Sequence, residues 1–96
     1  MLEKVIERAV KDYAESKGWI TRKWTSPGHN FVPDQIFISP RGKVIFVEFK
    51  KDGGKTTSGQ EREHQRLRQN MVSVFVIDSV QRGREMVDHY ANTGSV

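Results

Sequence analysis

Apolar side chains at Leu2, Val5, Ile6, Ala9, Val10 and Tyr13 recur at i, i+3, i+4, i+7, i+8 and i+11. This is the spacing that lays one stripe along a helix. The stripe predicts a first helix running to Lys17 and stopping at Gly18, a residue suited to closing a helix. Beyond it the period changes. Trp19 to Trp24 is rich in aromatic and β-branched residues and reads as a strand, with Thr25 to Pro33 as a Gly- and Pro-containing loop. Gln35 to Ile38 and Lys43 to Val47 read as two more strands, joined by a tight Ser39-Pro40-Arg41-Gly42 turn. Lys51 to Gly59, with three glycines, reads as a mobile loop. Thr57 or Ser58 can cap a helix from about Gly59 to Asn70, with Glu61 as the acid of its first turn. The inner stripe of that helix can draw only on Gln60, His64, Leu67 and Met71, of which two are polar. Val72 to Ile77 reads as a short buried strand, Asp78 to Asn92 as a last helix through Val80, Met86, Val87 and Tyr90, and Thr93 to Val96 as a frayed tail.

The order helix, three strands, helix, strand, helix predicts an α/β fold. Three consecutive strands can form an antiparallel meander, and a fourth returning after a helix completes a central mixed sheet flanked by helices. With 96 residues and no internal repeat, one domain over residues 1–96 is expected, with enough chain for a single layered core.

Composition narrows the chemistry. Lys plus Arg number 16 against 12 acids, a net charge of +4, so an anionic polymer is a more natural partner than an acidic protein surface. The absence of cysteine excludes a disulfide framework and thiolate metal or redox chemistry. The N-terminal residues lack the apolar core of a signal peptide and no run is apolar enough to span a membrane, so a cytoplasmic protein with no membrane partner is expected.

Two acids and a lysine stand out. Asp34 follows Pro33 at the start of one strand, and Glu48-Phe49-Lys50 ends the next, so the hairpin brings Asp34 near Glu48. Neighbouring carboxylates in a chain without cysteine suit a hard, oxygen-liking cation such as Mg²⁺ or Mn²⁺. Lys50 lies two residues beyond Glu48 and so projects from the same face of the strand. Taken singly, Asp34 is a turn acid and Glu48 with Lys50 an exposed salt pair. Together they read differently, because Glu48 interrupts an apolar strand where an unpaired carboxylate is costly. The proposed metal ligands are Asp34, Glu48 and the backbone carbonyl of Phe49. Metal and lysine together could polarise a phosphodiester, supply a water nucleophile and neutralise the leaving oxygen. Lys50 could orient or deprotonate the water, or stabilise developing charge.

Flanking residues extend the set. Glu3 lies about 20° from Val10 around the first helix, with Glu7 about 40° further toward solvent, so Glu3 is the better third carboxylate. From spacing alone, an ordinary N-terminal acid complementing the helix dipole is the stronger account of Glu3. Gln60 lies on the inner stripe of the second helix, where its amide could bind the attacking water, a phosphate or Lys50. His64, one turn on, reads as a packed or phosphate-contacting residue, because His29 and His89 show no metal-ligand spacing with it. Lys51, Lys55, Arg62, Arg66 and Arg68 form a cationic region suited to the nucleic-acid backbone. Arg22, Lys23, Arg41 and Lys43 could extend it or simply form a solvated face. Trp24 could stack on a base, although core packing accounts for both tryptophans.

With these residues in place the chain resembles the PD-(D/E)XK nuclease superfamily, through Pro33-Asp34 and Glu48-Phe49-Lys50. It is most similar to the short, stand-alone form of the virus-type replication-repair nuclease (VRR-NUC) domain found in phages and bacteria. Glu3 with Ile6 and Ala9, Pro33-Asp34, Glu48 with Lys50, and Thr57 with Gln60 match that pattern in order and placement over about residues 2 to 90. His64 departs from it, standing where an aromatic is common. The resemblance implies a restriction-endonuclease-like αβββαβ core with a C-terminal helix, and a Mg²⁺- or Mn²⁺-dependent DNA endonuclease. It also implies a homodimer directed at Holliday junctions or other branched DNA, in the host cytoplasm if phage-encoded. Two other functions fit the same residues: a restriction-like or general nicking nuclease, and a basic DNA-binding module that keeps the fold without turnover. No residue argues specifically for a purely structural adaptor.

Overall fold

In the computed structural model, which describes residues 1–93, the elements are α1 (Glu3–Ser16), β1 (Ile20–Lys23), β2 (Gln35–Ile38), β3 (Val44–Phe49), α2 (Ser58–Gln69), β4 (Val74–Ile77) and α3 (Val80–Tyr90). The sheet order is β1-β2-β3-β4. The first three strands pair antiparallel, whereas β4, returning after α2, runs parallel to β3. This is the mixed sheet with flanking helices that the element order predicts. Beyond Thr93 the expected frayed tail lies outside the described residues.

Strand alternation gives the sheet two unlike faces. Phe37, Ile45, Val47, Phe49 and Ile77 turn to one side and form the core with Ile6, Val10 and Ala14 of α1 and Met86 and Val87 of α3. Glu48 turns to the other side, where α2 packs. The predicted apolar stripe of α1 is wider than the buried one: Leu2 and Val5 are 71% and 49% exposed. The buried row Ile6, Val10, Ala14 follows the i±4 ridge, and this row meets α3. Gly83 makes the approach possible, since a Cβ there would lie 2.3 Å from Val10 Cγ2.

The ends of the helices follow local chemistry. Gly18 at φ 88° closes α1, its N–H donating to Glu15 O while Trp19 N–H donates to Ala14 O, both at 3.0 Å. Thr57 caps α2 reciprocally: its hydroxyl accepts from Gln60 N–H at 3.2 Å and its own N–H donates to Gln60 Oε1 at 3.0 Å. The expected inner stripe of α2 is corrected at its end. Met71 adopts φ 66° and is 91% exposed, because its N–H and that of Val72 turn back onto Arg68 O and Leu67 O and end the helix. Only Gly59 and His64 of α2 are buried. The ring of Phe31, from the loop before Pro33, covers Gly59 so closely that a Cβ would meet it at 2.7 Å.

Candidate active site

The site begins with register. Gln35 pairs with Val47, so one further antiparallel step sets Asp34 opposite Glu48, on the face away from the main core. Two hydrogen bonds hold Asp34 there. Its carbonyl accepts from Trp24 N–H at 2.8 Å, and its Oδ2 accepts from Phe49 N–H at 3.2 Å. One carboxylate oxygen of Asp34 is therefore anchored to β3. Phe49 itself points into the core, leaving Glu48 and Lys50 on either side of it on the α2 face.

Glu48 is buried, at 3% exposure, and its Oε1 has no hydrogen-bond partner. Burial is the main cause that lifts its pKa from 4.5 to about 8, followed by the hydrogen bond and the charge of Asp34. Glu3 adds a smaller push in the same direction, and Lys50 opposes it. Two neighbouring carboxyls in a dry place cannot easily both ionise. Burial and the neighbouring Asp34 thus favour the protonated form of Glu48 at neutral pH.

The N-terminus of α1 reaches this corner. Met1 O accepts from Asp52 N–H at 3.2 Å, tying the helix start to the loop after Lys50. Glu3, Lys4, Glu7, Lys23, Asp34 and Gln35 line a concavity of about 220 Å³. Contrary to the helix-wheel expectation, Glu7 is the less exposed of the two acids, because Glu3 sits in the first turn, at the open end of the helix, and Glu7 one turn further in.

On the other side of Glu48 stands His64, expected from the sequence to be a packed or phosphate-contacting residue; it is packed, and against the site. His64 is fully buried, neither ring nitrogen has a hydrogen-bond partner, and its Nε2 lies 3.8 Å from Glu48 Oε1. Burial is the principal cause lowering its pKa, with Arg68 and Lys50 adding to the effect against Glu61 and Glu63. With the His64 pKa depressed and that of Glu48 raised, the pair is not an ion pair at neutral pH. Its place on the inner stripe was legible, but its partner depended on how α2 sits across the sheet. The Gln60 carboxamide oxygen is engaged in the cap of α2, so its NH₂ is the group left to donate to a ligand.

The cationic residues separate by position. Lys51, Lys55, Arg62 and Arg66 are exposed along the loop and α2, and Arg62 and Arg66 line one shallow groove with Glu61, Gln65 and Gln69. Arg68 is committed elsewhere, donating to Val74 O at 2.9 Å and so joining α2 to β4. Arg41 and Lys43 lie at the turn end of the hairpin, roughly 16 Å of strand from Asp34. There Arg41 donates to Asn92 O at 3.0 Å and Lys43 lies over the ring of Tyr90. Those two do not extend the site, whereas Lys23 does. Trp24 packs on Phe46, with ring centroids 4.7 Å apart.

Among the described residues no group of three or more His, Asp or Glu side chains forms a ready metal cage. Asp34 and Glu48 are a pair. A pair still fits Mg²⁺ or Mn²⁺, which is commonly held by one or two carboxylates, with waters and substrate phosphates completing the shell. The repulsion between two neighbouring carboxyls, one of them buried, is what a cation would relieve.

No family model matches the sequence. "Putative nuclease p44" of Acyrthosiphon pisum secondary endosymbiont phage 1 is 43% identical over 77 residues, covering 80% of this chain and 83% of that protein. A solved structure of a VRR_NUC domain is similar with a TM-score of 0.83 at 34% identity, covering 92% of this chain and 96% of that one.

Proposed function

The chain belongs to the VRR-NUC family of nucleases, and from that premise we propose that it is a Mg²⁺- or Mn²⁺-dependent DNA endonuclease whose active site is the Asp34–Glu48 pair. The observation that carries the reading is the buried Glu48, set by strand register opposite Asp34 so that two carboxyls share one corner of the sheet. In this reading Asp34, Glu48 and the Phe49 carbonyl hold the cation, and Glu3 completes the shell directly or through water. When bound, the ion polarises the scissile phosphate and lowers the pKa of the attacking water. Lys50, on the same face as Glu48, orients the nucleophile or neutralises charge developing on the phosphoryl oxygens. Gln60 donates its amide N–H to a phosphate oxygen. Lys51, Lys55, Arg62 and Arg66 track the backbone and set the register without reading sequence.

The substrate in this reading is branched DNA, a four-way junction above all, cut by a homodimer. A second copy would bring a second site for the opposed strand. The test is incubation with a four-way junction, a flap and plain duplex, each with Mg²⁺, Mn²⁺ or EDTA. Junction cleavage that needs metal and is lost in Glu48→Gln and Lys50→Ala is the expected result. Equal rates on junction and duplex would replace junction selectivity with general nicking. Salt-sensitive binding without cleavage in either metal would leave a DNA-binding module.

A further inference from the structure

Resting on the metal-dependent reading above, we propose that His64 is a positioning residue for Glu48: its Nε2–H donates to Oε1 of the ionised carboxylate, which leaves the other carboxylate oxygen to the cation. Three polar atoms in this contact are buried without partners, both ring nitrogens of His64 and Oε1 of Glu48. Each such atom costs free energy unless it is used. An apolar ring at the same place would pack α2 against the sheet without that cost. The ring is therefore placed for its nitrogen.

The chemistry of the pair is complementary. The imidazole can present an N–H at Nε2, and an ionised carboxylate oxygen only accepts. The 3.8 Å separation is about 0.6 Å longer than a hydrogen bond. A small rotation about the soft terminal torsion of Glu48 closes it. A carboxylate held on one oxygen presents the other in a fixed direction, and outer partners of this kind tune metal affinity about 10- to 100-fold.

The first experiment is ¹⁵N NMR of the His64 ring in the Mg²⁺-loaded protein, where the neutral Nε2–H tautomer is expected; a bare Nε2 overturns the proposal. The second is calorimetric titration of Mn²⁺ into wild type, His64→Phe, His64→Gln and His64→Asn. His64→Phe is expected to fold with an unchanged or higher Tm yet bind Mn²⁺ about 10- to 100-fold more weakly. His64→Gln, whose amide nitrogen reaches the position of Nε2, recovers most of the affinity, and His64→Asn, which reaches only that of Nδ1, does not. Wild-type affinity in His64→Phe would show a merely structural role. If the wild type binds no metal and Glu48→Gln behaves identically, the metal-dependent reading itself fails; if Glu48→Gln alone loses the ion, only the role of His64 is refuted.

Discussion

Glu48 shows how a single residue ties stability to function. In the metal-free protein its folded pKa is about 8 against an ordinary 4.5. Between those values the folded state holds a proton that the unfolded state has released, so stability is full below about pH 4.5 and is lost as pH rises through about 8. Without divalent ions, the Tm of wild type relative to Glu48→Gln is therefore expected to fall from about pH 5 to about pH 8.5. Saturating Mn²⁺ should flatten that difference by replacing the proton, and thermal denaturation in EDTA and in Mn²⁺ measures both curves. A relative Tm that climbed across the window would contradict the burial argument. At this scale Asp34, Glu48 and Lys50 were legible because strand alternation and a tight turn are local rules. His64 was not, since nothing local to α2 names the residue across from it.

Helix α2 concentrates the element-scale compromises. It is capped at its start by Thr57 and Gln60, stapled to the loop before Asp34 through Phe31 on Gly59, and joined to β4 by Arg68. Its end is less well made. Met71 occupies a left-handed position at φ 66° with its side chain 91% exposed, paying backbone strain for no burial. Met71→Gly is expected to stabilise the protein by about 1 kcal/mol, read as an increased midpoint in urea with an unchanged slope. A lower midpoint would mean that the Met71 side chain packs after all. The cap at Thr57 could be read from sequence because a capping box is a four-residue pattern. The end near Asn70 was legible too, but not the fate of Met71, which the turn toward β4 carries off the inner stripe and out to solvent.

Over the whole molecule, the positive residues divide into those free for a polyanion and those used internally, a division that net charge does not reveal. Arg62 and Arg66 share an exposed groove, whereas Arg68 and Arg41 hold backbone carbonyls. Each phosphate contact contributes about 0.9 to the salt dependence of duplex binding. Replacing both Arg62 and Arg66 by Ala should thus lower the slope of log K against log salt by about 2, in EDTA so that no strand is cut. Arg68→Ala should instead lower the Tm with the slope retained, and fluorescence anisotropy with thermal melts separates the two outcomes. An unchanged slope in the Arg62 and Arg66 double variant would move the DNA path off α2. The sequence by itself determined the element order, the mixed sheet and the pairing of Asp34 with Glu48 beside Lys50, because periodicity, turns and register act over short stretches of chain. Only the tertiary structure decided that Glu48 faces His64, that α1 buries the Ile6, Val10, Ala14 ridge, and which arginines remain free. Burial and partnership belong to pairs of elements brought together from far apart in the chain, and no local pattern encodes the angle at which they meet.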